Sequence, residues 1–206
     1  MRYLNLFIAL VVSTLFCYGQ GELNTSTSWY YLRGDTFDNW YSKTKYKVVG
    51  DTTIESYDYK IIEANEVWIE MSRLELSDTV FYQASTYYEY LRSDEMSFYK
   101  WNGNEDELVI NFDLELNDTV STSPVDVVTE VDSILIGDTY RKTFITESGN
   151  IIYTGIGTSR GILRVETYLG YEGIAFLKCF SQDGENYELE THPYPTYGAE
   201  MESCSD

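Results

Sequence analysis

Short runs of residues that suit β-strands, separated by tight-turn signals, constrain the fold of this chain more than any other feature. The runs either alternate polar and apolar residues or are rich in Tyr, Phe, Val, Ile and Thr, which pack well on a pleated surface. Hairpin signals separate them at Asn102-Gly103, Ser148-Gly149-Asn150 and Asp183-Gly184. The 3.6-residue period of an amphipathic helix is missing from the sequence, so the pattern predicts an all-β chain.

A recurring Asp-Thr pair supports this prediction. It follows a turn-tolerant residue in Gly34-Asp35-Thr36, Gly50-Asp51-Thr52, Ser77-Asp78-Thr79, Asn117-Asp118-Thr119 and Gly137-Asp138-Thr139. The intervals are uneven, which excludes a solenoid, and we interpret the pair as turn chemistry in which Thr opens the next strand. The run VDVVTEVDSILI alternates imperfectly and predicts a strand with a bulge. We therefore expect an antiparallel meander of about ten strands, forming a sandwich or a rolled, barrel-like sheet.

The N-terminus has the features of a secretory signal peptide. Arg2 supplies a positive charge, an apolar run extends from Leu4 to Phe16, and small residues at Cys17 and Gly19 satisfy the cleavage rule. The run is shorter than the roughly 20 apolar residues that a membrane-spanning helix needs. The alternative is a lipoprotein signal with a modified Cys17, although the bulky Phe16 precedes that cysteine.

These features define the expected organisation of the chain. We expect residues 1–19 to be the signal peptide and residues 20–206 to form a single β domain. The mature domain is then exported, to the periplasm or the cell exterior, without inserting into the membrane.

The cysteines that remain after cleavage are Cys179 and Cys204, and an oxidising compartment favours their pairing. Cys204 lies in a polar tail that offers nothing apolar to bury it, so we expect a disulfide; two separate thiols are the alternative. Such a bridge would contribute about 3 kcal/mol by pinning the C-terminal tail, residues 192–206.

The formal net charge is −20, which repels nucleic acids and anionic lipid surfaces. We therefore expect no nucleic-acid partner. The single histidine and the two cysteines expected to pair give no basis for a metal site, and no cofactor motif is present in the sequence. A glycan or an envelope protein is the kind of partner that these properties leave open.

A catalytic site has one candidate motif. The segment Gly157–Gly161 fits the G-x-S-x-G pattern with Ser159 as nucleophile, and Asp183 and His192 follow in triad order. The pattern requires a helix after the serine, whereas Ile162–Val165 is a short β-like run. The sequence therefore favours a non-catalytic domain, and a hydrolase that uses Ser159 or a carboxylate pair is the alternative.

Aromatic residues are the candidates for binding. They are Trp29, Tyr31, Trp40, Tyr88 and Tyr90. Strand alternation places Tyr87 on the face opposite Tyr88 and Tyr90. Flat rings on a sheet suit sugar or peptide partners, because they give a large contact area at little entropy cost. The alternative is that these rings simply fill the β-core.

The order of several motifs resembles a group of secreted proteins from Bacteroidota. The motifs are YEYLRSDEMSFYKW, DELVINFDLELNDTV, VDSILIGDTYRKTF, IIYTGIGTSRGIL and FLKCFSQDGENYEL. The chain departs from the group's pattern at Asn111-Phe112 and at Thr154. Relatives often carry a C-terminal type IX sorting domain, which has no counterpart in these 206 residues. The resemblance implies an exported β-protein and implies no particular activity.

Overall fold

The computed structural model of the chain describes residues 23–35, 40–71, 79–94, 96–122, 125–162 and 173–189. In these residues the regular elements are all strands and all their pairings are antiparallel, so the predicted all-β antiparallel fold is confirmed. The strands are β1 (Ser28–Asp35), β2 (Trp40–Ile54), β3 (Tyr57–Met71), β4 (Thr79–Ser93), β5 (Ser97–Trp101), β6 (Asp106–Asn111), β7 (Thr119–Thr122), β8 (Val125–Ile136), β9 (Thr139–Thr146), β10 (Ile151–Tyr153), β11 (Gly157–Thr158), β12 (Gly173–Gln182) and β13 (Glu185–Glu188).

The strands form two sheets. The eight-stranded sheet has the order β13-β12-β1-β2-β3-β4-β5-β6, and the five-stranded sheet has the order β11-β10-β9-β8-β7. Each sheet is a meander except where β12 returns to pair with β1. One sheet curls into a half-barrel, and the arrangement is consistent with the sandwich that the sequence predicts.

Most of the turn predictions are confirmed. Asn102-Gly103 lies in the β5–β6 turn, and Asp183-Gly184 joins β12 to β13 with φ values of 54° and 84°. Thr119 and Thr139 begin β7 and β9, as turn chemistry predicts. The predicted bulge in β8 is present as a register shift between Val128 and Glu130.

One turn prediction is wrong. Gly50 lies inside β2, where a register shift between Val48 and Gly50 marks a bulge. The chain reverses instead at Glu55-Ser56, both of which adopt positive φ. A glycine within a strand signals a bulge as readily as a turn, so the local sequence does not separate the two.

The core is built from side chains of both sheets. Its largest fully buried members are Trp29, Phe98, Phe112, Phe144, Phe180, Leu23, Ile62, Leu91, Ile110, Ile152 and Ile156. Two buried hydrogen bonds connect β1 to the other sheet. The indole N–H of Trp29 donates to the Ile156 carbonyl at 2.8 Å, and the Tyr31 hydroxyl donates to the Thr158 carbonyl at 3.0 Å.

The predicted signal peptide, residues 1–19, and the predicted tail, residues 192–206, lie outside the described residues. Within the part of the chain that the structure describes, no helix has the length and apolar character needed to cross a membrane.

Candidate functional site

Ser159, the candidate nucleophile, is a buried structural residue. Its hydroxyl donates to Asn150 Oδ1 at 2.9 Å and accepts the Ile151 N–H at 2.9 Å. Its carbonyl accepts the N–H of Leu177 on β12 at 2.6 Å. The side chain is only 5 % exposed, so the hydroxyl joins neighbouring strands and is not presented to a substrate.

Asp183 lies far from Ser159. It is exposed in the β12–β13 turn, where its carboxylate accepts the side-chain amide of Asn24 at 2.8 Å. Ser159 contacts Leu177, and six residues of extended chain from Leu177 to Asp183 span roughly 20 Å. The structure therefore does not bring this serine and this acid together, and His192 lies outside the described residues.

The carboxylate-pair alternative also lacks support. Among the residues whose side chains the structure describes, Asp126 is the only buried acid. Both of its oxygens accept hydrogen bonds from Ser148, one from the backbone N–H at 3.0 Å and one from the hydroxyl at 2.8 Å. This carboxylate holds the β9–β10 turn against β8.

Two of the predicted binding aromatics lie in the core. Trp29 is 0 % exposed and Tyr31 is 5 % exposed, so the prediction that they contact a ligand at the surface is wrong. Their polar atoms reach carbonyls of the opposite sheet, because a buried indole or phenol needs a hydrogen-bond partner. The side chain of Trp40 lies outside the described part of the structure.

Cys179 lies in β12 and is 4 % exposed. Its predicted partner, Cys204, is outside the described residues, so the disulfide stays a prediction.

Tyr88 and Tyr90 share a face of the eight-stranded sheet with aromatic residues of neighbouring strands. Core residues Ile62 and Leu91 point to one face, and strand alternation sends Tyr88, Tyr90 and Arg92 to the other. Tyr87 takes the core-side face opposite Ala64, as the sequence predicts. We call the second face the outer aromatic face; it carries Tyr57, Tyr59, Tyr88, Tyr90, Arg92, Tyr99, Trp101 and Asp106.

Arg92 organises one end of the outer aromatic face. Its guanidinium carbon lies 4.1 Å from the ring centroid of Tyr99 and 4.9 Å from that of Tyr57. Its Nη2 and Nε both donate to Asp106 Oδ2, at 2.6 and 3.0 Å. The Tyr59 hydroxyl donates to the other oxygen of Asp106 at 2.5 Å. This cluster joins β3, β4, β5 and β6 on the side of the sheet away from the core.

Contacts within this cluster raise the pKa values of both Arg92 and Tyr59. Burial lowers the pKa of Arg92, but hydrogen bonds to Asp106 and the charge of that carboxylate outweigh this effect, and the pKa of the guanidinium rises above its ordinary value. Burial and the hydrogen bond to Asp106 raise the pKa of Tyr59. Arg92 therefore keeps its charge and Tyr59 stays a neutral phenol at neutral pH.

Two rings of the outer aromatic face combine exposure with fixed orientation. Tyr57 is 55 % exposed while Arg92 stacks on its ring. Tyr88 is 56 % exposed, and its hydroxyl donates to Glu63 Oε2 at 3.2 Å. Rings held in place lose little entropy when a ligand stacks on them, so the face can bind a flat apolar surface.

Sequence reasoning found Tyr88 and Tyr90 but missed the rest of this face. A signal for it exists in the sequence. Three successive strands carry an aromatic pair at spacing i, i+2: Tyr57 and Tyr59, Tyr88 and Tyr90, and Tyr99 and Trp101. Such spacing places both rings of each pair on one face.

The site belongs to an all-β protein of two antiparallel sheets that presents aromatic side chains on the outside of the larger sheet. No family model, curated protein or solved structure matches this chain.

Proposed function

We propose that this chain is an exported, non-catalytic β-domain that binds a glycan through its outer aromatic face. The observation that carries the proposal is the set of tyrosines fixed and exposed on the sheet surface opposite the core. Soluble proteins rarely expose clustered large apolar surfaces without a binding role. The hydroxyl of the buried Ser159 bonds to Asn150 and the carboxylate of Asp183 bonds to Asn24, and these contacts favour the non-catalytic proposal over the hydrolase alternative.

Sugar rings match the chemistry of this face. The C–H groups of a pyranose ring stack on an aromatic ring, and its hydroxyls need polar side chains within reach. The outer aromatic face supplies exposed rings at Tyr57 and Tyr88, and donors and acceptors at Glu63, Arg92 and Asp106. A mostly apolar surface with a few fixed polar groups is the usual composition of a ligand site.

The dimensions of the face favour an oligosaccharide over a single sugar. Tyr88 pairs with Glu63 across β3 and β4, and Tyr57 lies six residues from Glu63 along β3. At the rise of an extended strand this separates the two exposed rings by roughly 20 Å. Tyr90 lies between them along β4, so successive units of a chain would meet successive rings.

Mutation of the exposed rings tests the proposal. A glycan array probed with the mature protein identifies a ligand, and titration calorimetry then compares Tyr57→Ala and Tyr88→Ala with the wild type. Each truncation should weaken binding about tenfold, the effect of losing one well-packed aromatic contact. Tyr140→Ala is the matched control, because Tyr140 is 65 % exposed on β9 in the other sheet. A blank array with folded protein, or equal affinities for all three variants, contradicts the proposal.

Export and the disulfide are parts of the same proposal. They are supported by the charge and apolar pattern of residues 1–19, by the polar setting of Cys204, and by the resemblance to exported Bacteroidota proteins. Mass spectrometry of protein recovered from the periplasm or medium tests both. We expect an N-terminus at Gln20 and no free thiol at Cys179; an intact leader or an alkylated Cys179 contradicts the corresponding claim.

A further inference from the structure

β4 has an open hydrogen-bonding edge along most of its length. The strand is 15 residues long and pairs with β3 from Thr79 to Leu91, but only Leu91–Ser93 pair with β5. β5 ends at Trp101, and the chain then turns away into the β5–β6 hairpin. In the described part of the chain, no strand pairs with Thr86 or Tyr88 on this side.

The β4–β5 hairpin shows which backbone groups face the open edge. The N–H of Asp94 donates to the carbonyl of Ser97 at 3.1 Å, so this pair is hydrogen-bonded. In an antiparallel ladder every second residue bonds to the same neighbour, which assigns Arg92 to β5 as well. The same alternation along β4 directs the N–H and C=O groups of Tyr88 and Thr86 out of the sheet.

The β2–β3 hairpin independently assigns the same residues of β4 to the open edge. Glu55 and Ser56 form a two-residue turn with positive φ, so the flanking residues Ile54 and Tyr57 are a hydrogen-bonded pair. Odd-numbered residues of β3 therefore bond to β2, and even-numbered residues bond to β4. Lys60 pairs with Leu91, which assigns odd-numbered residues of β4 to β3 and leaves the even-numbered ones for the edge.

This edge carries little of the usual protection. Proteins block exposed strand edges with proline, charged side chains or a bulge, because an open edge pairs readily with another strand. The one charged residue among residues 84–90 is Glu89, and its carboxylate is paired with Lys100 at 2.9 Å. Residues 84–90 are Ala-Ser-Thr-Tyr-Tyr-Glu-Tyr, which contain neither proline nor lysine, and their pairing with β3 continues without a register shift. Ala84, Thr86 and Tyr88 are exposed.

The negative charge of this chain favours a basic partner at the open edge. The chain carries a net charge of −20, so pairing two copies edge to edge brings like charges together. The register of β4 and β5, continued past Leu91 and Lys100, places the β5–β6 turn at the end of the open edge. That turn carries the exposed Glu105, and the exposed Glu107 follows it. An extended strand with basic side chains complements this surface.

We infer that the open edge of β4 binds an extended, basic peptide segment of a partner protein by adding it as a strand beside Thr86 and Tyr88. The peptide would continue the line of β5 and bond to the outward N–H and C=O groups, as in other cases of strand addition. This site uses backbone groups and does not depend on glycan binding by the outer aromatic face.

Two synthetic ten-residue peptides test the inference, one of alternating Lys and Thr and one of alternating Glu and Thr. We expect the mature protein to bind the Lys-Thr peptide in fluorescence anisotropy, and to bind it about tenfold more weakly when added salt screens the charges. The Glu-Thr peptide should not bind. Absence of binding by the Lys-Thr peptide, or equal binding of the two, overturns the inference.

Proline substitution tests the location. Thr86→Pro removes an N–H that points out of the sheet, so the fold should survive while peptide binding falls at least about tenfold. Asn186→Pro is the matched control on β13, at the other edge of the same sheet, because asparagine is uncharged like threonine. There the Leu189 N–H bonds to the Lys178 carbonyl, so alternation directs the Asn186 N–H outward as well. This control should bind the peptide as the wild type does; unchanged binding by Thr86→Pro overturns the inference.

Hydrogen exchange on the wild-type protein keeps the test decisive if Thr86→Pro fails to fold. The amides of Thr86 and Tyr88 should gain protection when the Lys-Thr peptide binds, whereas Ser85 should already be protected by β3. Protection confined to other strands overturns the inference. A dimer in light scattering that the Lys-Thr peptide does not dissociate would also overturn it, because a second copy would then occupy the edge. Tyr57→Ala, which weakens glycan binding, should leave peptide binding unchanged.

Discussion

Removal of the Asp106 carboxylate should destabilise the protein, because this group joins Arg92 to Tyr59. This carboxylate accepts three hydrogen bonds, two from Arg92 and one from Tyr59. Tyr59 is 1 % exposed, so Asp106→Ala leaves a buried hydroxyl without its acceptor, which costs about 1–3 kcal/mol. The Arg92 side chain is 19 % exposed and regains part of its hydration, so the lost ion pair adds only about 1 kcal/mol.

We therefore expect Asp106→Ala to lower the free energy of unfolding by about 3 kcal/mol. Asp106→Asn keeps an acceptor for Tyr59 and should cost about half as much. Urea unfolding measures both, with Asp113→Ala as control, because Asp113 is exposed and its hydrogen bonds to Asn111 use its backbone N–H and C=O. Two results would refute the interpretation that Arg92, Tyr59 and Asp106 stabilise the fold cooperatively. One is a loss of unfolding free energy below about 0.5 kcal/mol for Asp106→Ala, and the other is additive losses when this substitution is combined with Arg92→Met.

Three further predictions follow from buried groups. Burial raises the pKa of Tyr31 and of Tyr153 above the value of about 10 in the unfolded chain, so their contribution to stability is present below pH 10 and declines as pH rises further. Urea unfolding from pH 8 to 11 should show this decline, and Tyr153→Phe should reduce its slope. Trp29→Phe removes the hydrogen bond to the opposite sheet and should cost about 2–3 kcal/mol in the same assay; an unchanged midpoint contradicts that role. Gly137→Ala places a methyl group 2.9 Å from the Tyr187 hydroxyl at a φ of 59°, and thermal unfolding should show a loss of about 1–2 kcal/mol. The control Gly149→Ala has a similar positive φ of 77° and no atom of the described residues within 4 Å of the added methyl group, so it should lose less stability if the contact with Tyr187 contributes.

Local chemistry explains which parts of the fold were predictable. Asp183-Gly184 and Asn117-Asp118-Thr119 reverse the chain where the sequence predicts, because positive φ falls on residues that tolerate it. Glu55-Ser56 adopts the same backbone without a residue that favours it, since the long β2–β3 ladder on either side determines the turn. The pairing of β12 with β1 joins distant segments, and no local pattern encodes it.

The candidate site was predictable only in part, for a similar reason. Alternation correctly separates Tyr87 from Tyr88 and Tyr90, because it is a property of one strand. It does not distinguish the core face from the outer face, so the sequence also predicts binding by Trp29 and Tyr31, which the second sheet covers. The contact between Arg92 and Asp106 depends on the register of three strands and could not be inferred from either residue alone.

Hydroxyl-radical footprinting with the glycan that the array identifies tests the central claim most directly. Without ligand, Tyr57 and Tyr88 should be oxidised about tenfold faster than Trp29 and Tyr59, in line with their exposure. Saturating glycan should protect Tyr57 and Tyr88 and leave the oxidation of Tyr140 unchanged. Protection of Tyr140 with continued oxidation of Tyr57 and Tyr88 would contradict the assignment of the outer aromatic face as the binding site.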